Sequence, residues 1–140
     1  MWWGEIVKRM FVIVVGEKMV KKIMIVDDNP DILLSIKNGL EDSAEYKVIG
    51  AESGERCLEI LKVEVPDLIL LDIMMPEMSG WETYDEIKGN DTWGKIPIVF
   101  LTARTDKIAR DAGDFLGEDY IEKPFEISNV QERIDKILGR

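Results

Sequence analysis

Apolar residues along this chain fall into two alternating patterns, short unbroken runs and longer stretches with helical spacing. Ile23-Met24-Ile25-Val26, Leu68-Ile69-Leu70-Leu71 and residues 96–101 run with almost no polar interruption. Such runs predict strands buried on both faces, the kind found in parallel sheets covered by helices. Tyr46–Ala51 and the brief Tyr120-Ile121 complete a set of five. Between them, apolar positions recur at spacings of three and four, which predicts helices with one buried stripe.

The helix boundaries are written in the same stretches. Asn29-Pro30 supplies an N-cap and a proline at the first helical position, ahead of Ile32, Leu33, Ile36 and Leu40. Ser53-Gly54 opens a second helix, in which Cys57, Leu58 and Leu61 face inward and Cys57 is read as a small core residue. Ser79-Gly80-Trp81-Glu82 is a capping box that starts a third helix through about Lys88, with Trp81, Tyr84 and Ile87 packing. Thr105-Asp106 opens a fourth with thin apolar content, Ile108, Ala109, Ala112 and Phe115, interrupted by Gly113 and expected to be short or mobile. The fifth carries Ile127, Val130, Ile134 and Ile137 on one face. Five strands alternating with five helices over short links define an α/β, doubly wound parallel sheet with helices on both faces.

Residues 1–18 do not fit this rhythm. Two tryptophans are followed by a polar stretch and the apolar run Met10-Phe11-Val12-Ile13-Val14-Val15, with no cleavage site of a secretory signal. The expected organisation is an extension over residues 1–19 and one domain over 20–140. The extension is read as spurious upstream sequence with Met19 the natural start, an added strand or hairpin arm, or an amphipathic dock.

Composition narrows the class. In a chain of 140 residues, 46% hydrophobic and 33% charged, the balance is that of one soluble globular domain. A net charge of -10 argues against nucleic-acid or anionic-membrane partners and favours a cation or a basic surface. The single cysteine demands no oxidising compartment, so a cytoplasmic location is expected. No apolar run is long enough to span a membrane as a helix. Histidine is absent, which removes histidine-based nucleophilic catalysis, most zinc sites and a phosphohistidine on this chain. No glycine-rich phosphate loop follows the first strand, so nucleotide binding is not expected.

What remains is a set of polar residues at the carboxyl ends of the strands. Asp27 and Asp28 end the first, Asp72 the third and Thr102 the fourth, and Lys123 follows the fifth. In a parallel sheet these converge on one rim, where ligands gather. Any one of them would pass as a helix cap or a solvated loop residue; together, three carboxylates repel and call for a cation. Oxygen-only ligands favour Mg²⁺, with Mn²⁺ or Ca²⁺ as alternatives. Beside such an ion, the Asp72 carboxylate suits attack on phosphorus to give an aspartyl phosphate. Lys123 would neutralise the phosphoryl oxygens and the Thr102 hydroxyl would donate to one of them.

These residues resemble the receiver domain of two-component response regulators, the CheY-like family, over about residues 20–140. The resemblance rests on Val26-Asp27-Asp28-Asn29-Pro30, Asp72-Ile73-Met74-Met75-Pro76-Glu77-Met78-Ser79-Gly80, Leu101-Thr102-Ala103 and Tyr120-Ile121-Glu122-Lys123-Pro124-Phe125. It implies a flavodoxin-like sheet of order 2-1-3-4-5. It further implies that Asp72 receives phosphate from a histidine kinase or phosphotransfer protein. Asp28, Asp72 and the Met74 main-chain carbonyl would bind Mg²⁺ directly, with Asp27 acting through water. Thr102 and Tyr120 would be a switch pair, Tyr120 having plain packing as its other reading. Lys123 would sense the phosphate and Lys123-Pro124 would be cis. Leu116-Gly117-Glu118-Asp119 is slightly compressed against the family pattern, and the segment before Met19 has no counterpart.

With the chain ending at Arg140, the expectation is a stand-alone receiver that signals to a downstream protein through the face of the fourth helix, fifth strand and fifth helix. Such a protein catalyses its own phosphoryl transfer and autodephosphorylation, at a rate set by Met74 and Arg104, without being an enzyme in the ordinary sense. The alternative is a phosphorelay intermediate. A phosphate-independent binding module would be expected to lack at least one of Asp28, Asp72, Thr102 and Lys123. A phosphohydrolase would want an acid/base aspartate where Met74 stands.

Overall fold

The computed structural model describes residues 3–4, 19–103 and 119–140. Five strands, β1 (Lys21–Val26), β2 (Tyr46–Ala51), β3 (Leu68–Asp72), β4 (Ile98–Ala103) and β5 (Asp119–Lys123), form one sheet in the order β2-β1-β3-β4-β5. Every neighbouring pair is parallel. The described helices are α1 (Pro30–Glu41), α2 (Gly54–Leu61), α3 (Gly80–Lys88) and α4 (Ile127–Leu138). The helix expected from Thr105, and all of residues 1–18 except Trp3 and Gly4, lie outside the described residues.

Alternation along the strands divides the core in two. Met24, Val26, Ile69, Leu71, Ile98 and Phe100 face α2 and α3, where they meet Cys57, Leu61 and Ile87. Ile23, Ile25, Leu68, Leu70, Val99 and Leu101 face the other way, onto Ile36 and Leu40 of α1 and Val130 and Ile134 of α4. All five residues of β3 are buried, as expected of a central strand with a helix layer on each side. Cys57 is wholly buried, and that burial pushes its thiol up to about 12, so it stays protonated and acts as core.

The caps fall where the sequence predicts. The Asn29 side chain accepts from the Asp31 N–H at 2.9 Å, and Ser53 from Arg56 at 3.0 Å. Ser79 accepts from the Glu82 N–H at 3.2 Å, while Glu82 reaches back to the Ser79 N–H at 3.4 Å. Strand limits differ by a residue or two. β1 starts at Lys21 because Lys21 and Lys22 pair in register with Tyr46 and Lys47. β4 starts at Ile98 because the Ile96 N–H turns back to the Trp93 carbonyl and Pro97 has no N–H to give. β5 extends over Asp119–Lys123, since register with Val99 through Ala103 carries its polar residues into the ladder. Lys123 is therefore the last residue of a strand, where the sequence predicts a following loop.

Candidate functional site

Four strand ends deliver the site. β1 leads into Asp27, whose N–H donates to the Ala51 carbonyl at 3.1 Å, so the chain stays in the sheet's frame for one residue beyond the strand. Asp28 follows at the surface, and the turn closes when the Asn29 N–H donates to Asp27 Oδ1 at 2.9 Å. β3 ends on Asp72, β4 carries Thr102, and β5 ends on Lys123. The sheet's parallel register brings all of them to one rim.

Gly80 fixes the loop after Asp72. Its N–H donates to the Ile73 carbonyl at 2.9 Å, and a Cβ there would run into the Asp72 carbonyl oxygen, so only glycine lets α3 start this close to β3. Between these anchors Glu77 takes a positive φ of 65°, Met75 turns inward and the Met74 side chain stands out to solvent.

Carboxylate oxygens of Asp27, Asp28 and Asp72 lie within 4.8 Å of one another. Asp27 is fully buried and Asp72 is 5% exposed. Lys123 Nζ bonds Asp27 Oδ2 at 2.6 Å and stands 3.4 Å from Asp72 Oδ1. Three carboxylates thus meet one ammonium among the described residues. The imbalance appears in Asp72, whose carboxyl is pushed up to about 6. Burial is the largest cause and the Asp27 charge the next; Lys123 pulls the other way without cancelling them. With three carboxylates and one ammonium among the described residues, the site carries an excess of negative charge. Its donors are all hard oxygens, so the residues fit Mg²⁺.

Thr102 is 1% exposed, and its Oγ1 has no hydrogen-bond partner among the described residues. A buried hydroxyl without a partner is costly, which makes it a donor waiting for an acceptor. Tyr120 is half-buried on the neighbouring strand, in register with Phe100. The Lys123-Pro124 peptide is cis. Asp27, Asp28, Asp72, Thr102 and Lys123 thus stand at the rim, whereas Arg104 lies outside the described residues. Sequence reading missed that Lys123 lies closer to Asp27 than to Asp72, and that the Asn29 backbone aims the Asp27 carboxylate.

A doubly wound α/β domain with a cluster of three carboxylates, two of them buried, at the carboxyl ends of its strands is the class of protein that this fold and site define. The sequence matches the family described as response regulator receiver domain over residues 23–135, and the chain belongs to that family. It is 38% identical over 123 residues to the alkaline phosphatase synthesis transcriptional regulatory protein PhoP of Bacillus subtilis, covering 87% of this chain and 50% of that protein. It is 37% identical over 125 residues to histidine kinase P4 of Formosa agariphila, covering 89% of this chain and 9% of that one. The chain thus spans half or less of these curated relatives. Among solved structures, the CheY-like response regulator receiver domain protein of Methanospirillum hungatei superposes with a TM-score of 0.74 at 36% identity, covering 84% of this chain and 94% of that one.

Proposed function

We propose that Asp72 is the phosphoacceptor of a two-component signalling protein, taking its phosphoryl group from a phosphohistidine on a partner histidine kinase or phosphotransfer protein. The observation that carries this reading is the setting of Asp72 itself. It is a buried carboxylate at the end of the central strand, flanked by two more carboxylates and by Lys123 at 3.4 Å. An Asp72 oxygen attacks phosphorus, the P–N bond to the donor imidazole breaks, and its electron pair stays on that nitrogen, which takes up a proton. Lys123 faces the phosphoryl oxygens, and the Thr102 hydroxyl, without a partner among the described residues, donates to one of them. Asp28, Asp72 and the main-chain carbonyl of Met74, with Asp27 through water, would hold a Mg²⁺ that supplies further neutralising charge.

Output then runs to a downstream protein through the face of β5, α4 and the segment 104–118 that joins β4 to β5, with Thr102 and Tyr120 as the switch pair. Cytoplasm is the compartment this reading implies. Phosphorylation by acetyl phosphate with Mg²⁺ tests the core of it. The intact mass should rise by one phosphoryl group, hydroxylamine should release it as expected of an acyl phosphate, and Asp72→Asn should take none. Label that resists hydroxylamine, or that survives Asp72→Asn, overturns the assignment.

The receiver domain is taken to be residues 20–140. A chain beginning at Met19 is then expected to melt at the same temperature and to accept phosphate at the same rate. A large drop in melting temperature would make the preceding residues part of the domain.

A further inference from the structure

Phe100, Thr102 and Tyr120 share one face of the sheet. Phe100 and Thr102 are two residues apart on β4, and Phe100 stands in register with Tyr120 on β5, so all three side chains leave on the same side. Of the described helices on that side, α2 and α3, it is α3 whose rings reach Phe100. The Trp81 ring centroid lies 4.8 Å from that of Phe100, and the Tyr84 centroid 5.4 Å from it. Tyr120 packs against the same buried cluster. Phe100 is fully buried, while Trp81, on α3, and Tyr120, on the neighbouring strand, are each half-buried.

Trp81 is also tied to the phosphoacceptor strand. It follows Gly80, whose N–H is held by the carbonyl of Ile73, the residue after Asp72. The first turn of α3 is thus fixed to the Asp72 loop at Gly80 and to β4 through the Phe100 ring. Interiors packed to native density leave no slack around a fully buried ring, so a displaced neighbour moves it or is blocked by it.

Resting on the phosphoacceptor reading of Asp72, we propose that the row Tyr120, Phe100, Trp81 couples the ring position of Tyr120 to the first turn of α3. The start of α3 is then a second surface that responds to phosphorylation, separate from β5 and α4. Thr102 is the trigger. Drawn to a phosphoryl oxygen, it leaves space beside Phe100 on the face that Tyr120 shares, and the ring that fills this space presses on Phe100. Trp81 is a positioning residue in this scheme and touches neither phosphate nor metal. Coupling of this kind is reciprocal, so the packing of Trp81 also biases the ring position of Tyr120.

The test uses the full chain with Trp2→Phe, Trp3→Phe and Trp93→Phe, which leaves Trp81 as the sole tryptophan. Its emission is recorded with Mg²⁺ alone as baseline and then with acetyl phosphate, while intact mass reports occupancy of Asp72. The expected result is an emission shift that tracks occupancy. That shift should persist in Tyr120→Phe and be lost in Tyr120→Ala and Tyr120→Leu at equal occupancy. Using both the alanine and the leucine variant guards against one failing to fold, and circular dichroism checks each. A shift undiminished in Tyr120→Ala or Tyr120→Leu means that the Asp72 loop acts on Trp81 directly, which overturns the coupling. No shift at full occupancy also overturns it and leaves the phosphoacceptor reading intact. Failure of Asp72 to take a phosphoryl group overturns that reading and this inference with it.

Discussion

The two ends of the sheet handle charge in opposite ways. At the amino ends of the strands, opposite charges are matched and close to solvent: Glu64 lies 3.4 Å from Lys22 and 3.9 Å from Lys47, with all three side chains at least 31% exposed. Asp67 accepts from the Lys22 N–H at 2.8 Å, and the Tyr46 hydroxyl donates to Asp135 under the Arg140 guanidinium. At the carboxyl ends, Asp27 and Asp72 are buried, Asp28 stands beside them, and Lys123 is the ammonium that reaches them among the described residues. Matched exposed pairs contribute little to stability, whereas a buried excess of one sign costs free energy until a ligand relieves it. One rim therefore balances its charges as it stands, and the other carries a buried excess of negative charge among the described residues.

The largest effect that would sharpen this contrast is removal of Lys123. Lys123→Met should leave the Asp27 carboxylate buried without its 2.6 Å partner. A loss of about 3 kcal/mol is expected in the absence of Mg²⁺, on the scale of breaking a buried pair. Urea denaturation in chelator measures it. A loss below about 0.5 kcal/mol would mean that the carboxyl rim behaves like the exposed one.

Next comes Asp72. Its carboxyl titrates at about 6 when folded, against an ordinary aspartate value of 3.8, so the folded protein holds that proton more tightly than the unfolded chain does. Stability falls as pH rises from about 4 to 6 and stays reduced above it. Asp72→Asn removes this burden. The variant should be more stable than wild type by up to about 3 kcal/mol at neutral pH without metal, two pKa units or so at 1.36 kcal/mol each. The gain should fade to nothing as the pH falls toward 4. A gain that is independent of pH would assign the effect to packing instead of charge. Mg²⁺ acts on the same imbalance from outside, and at one hundred times its Kd would raise wild-type stability by about 2.7 kcal/mol. Asp28→Ala should lose most of that rise, as followed by Tm; an equal rise in wild type and variant would move the ion away from the acidic cluster.

The same contrast separates what the sequence could say from what it could not. The rim was legible because each member sits just past an aliphatic run, and runs such as Leu68 to Leu71 can be satisfied only inside a covered sheet. Topology then brings their ends together without any long-range contact having to be guessed. Caps at Asn29, Ser53 and Ser79 were legible for the opposite reason, since they depend on residues two or three away. β5 was only half legible: Asp119, Glu122 and Lys123 look like loop, and it is pairing with β4 that makes them strand. The Lys123 to Asp27 bond spans 96 positions, and nothing local in either residue announces it. Nor does a sequence tell that the Thr102 hydroxyl is buried without a partner among the described residues, because that depends on what the neighbouring strands fail to offer.

The smallest expected effect lies at the amino rim, and it is the sharpest check on the comparison because the expected outcome is near silence. Glu64 is 31% exposed on its side chain, and its partners Lys22 and Lys47 are 44% and 61% exposed. Water and salt screen all three, and holding two long lysines in place costs side-chain entropy that offsets the attraction. Glu64→Gln should therefore change stability by no more than about 0.5 kcal/mol, less still in about 0.5 M salt, by urea denaturation. It should leave the Mg²⁺-induced rise in Tm where it was, since the ion's residues sit at the other end of the strands. A loss above about 2 kcal/mol would place an energetically significant charge network at the amino rim. A changed Mg²⁺ response would mean that the two ends of the sheet are coupled, and the division of labour between them would have to be abandoned.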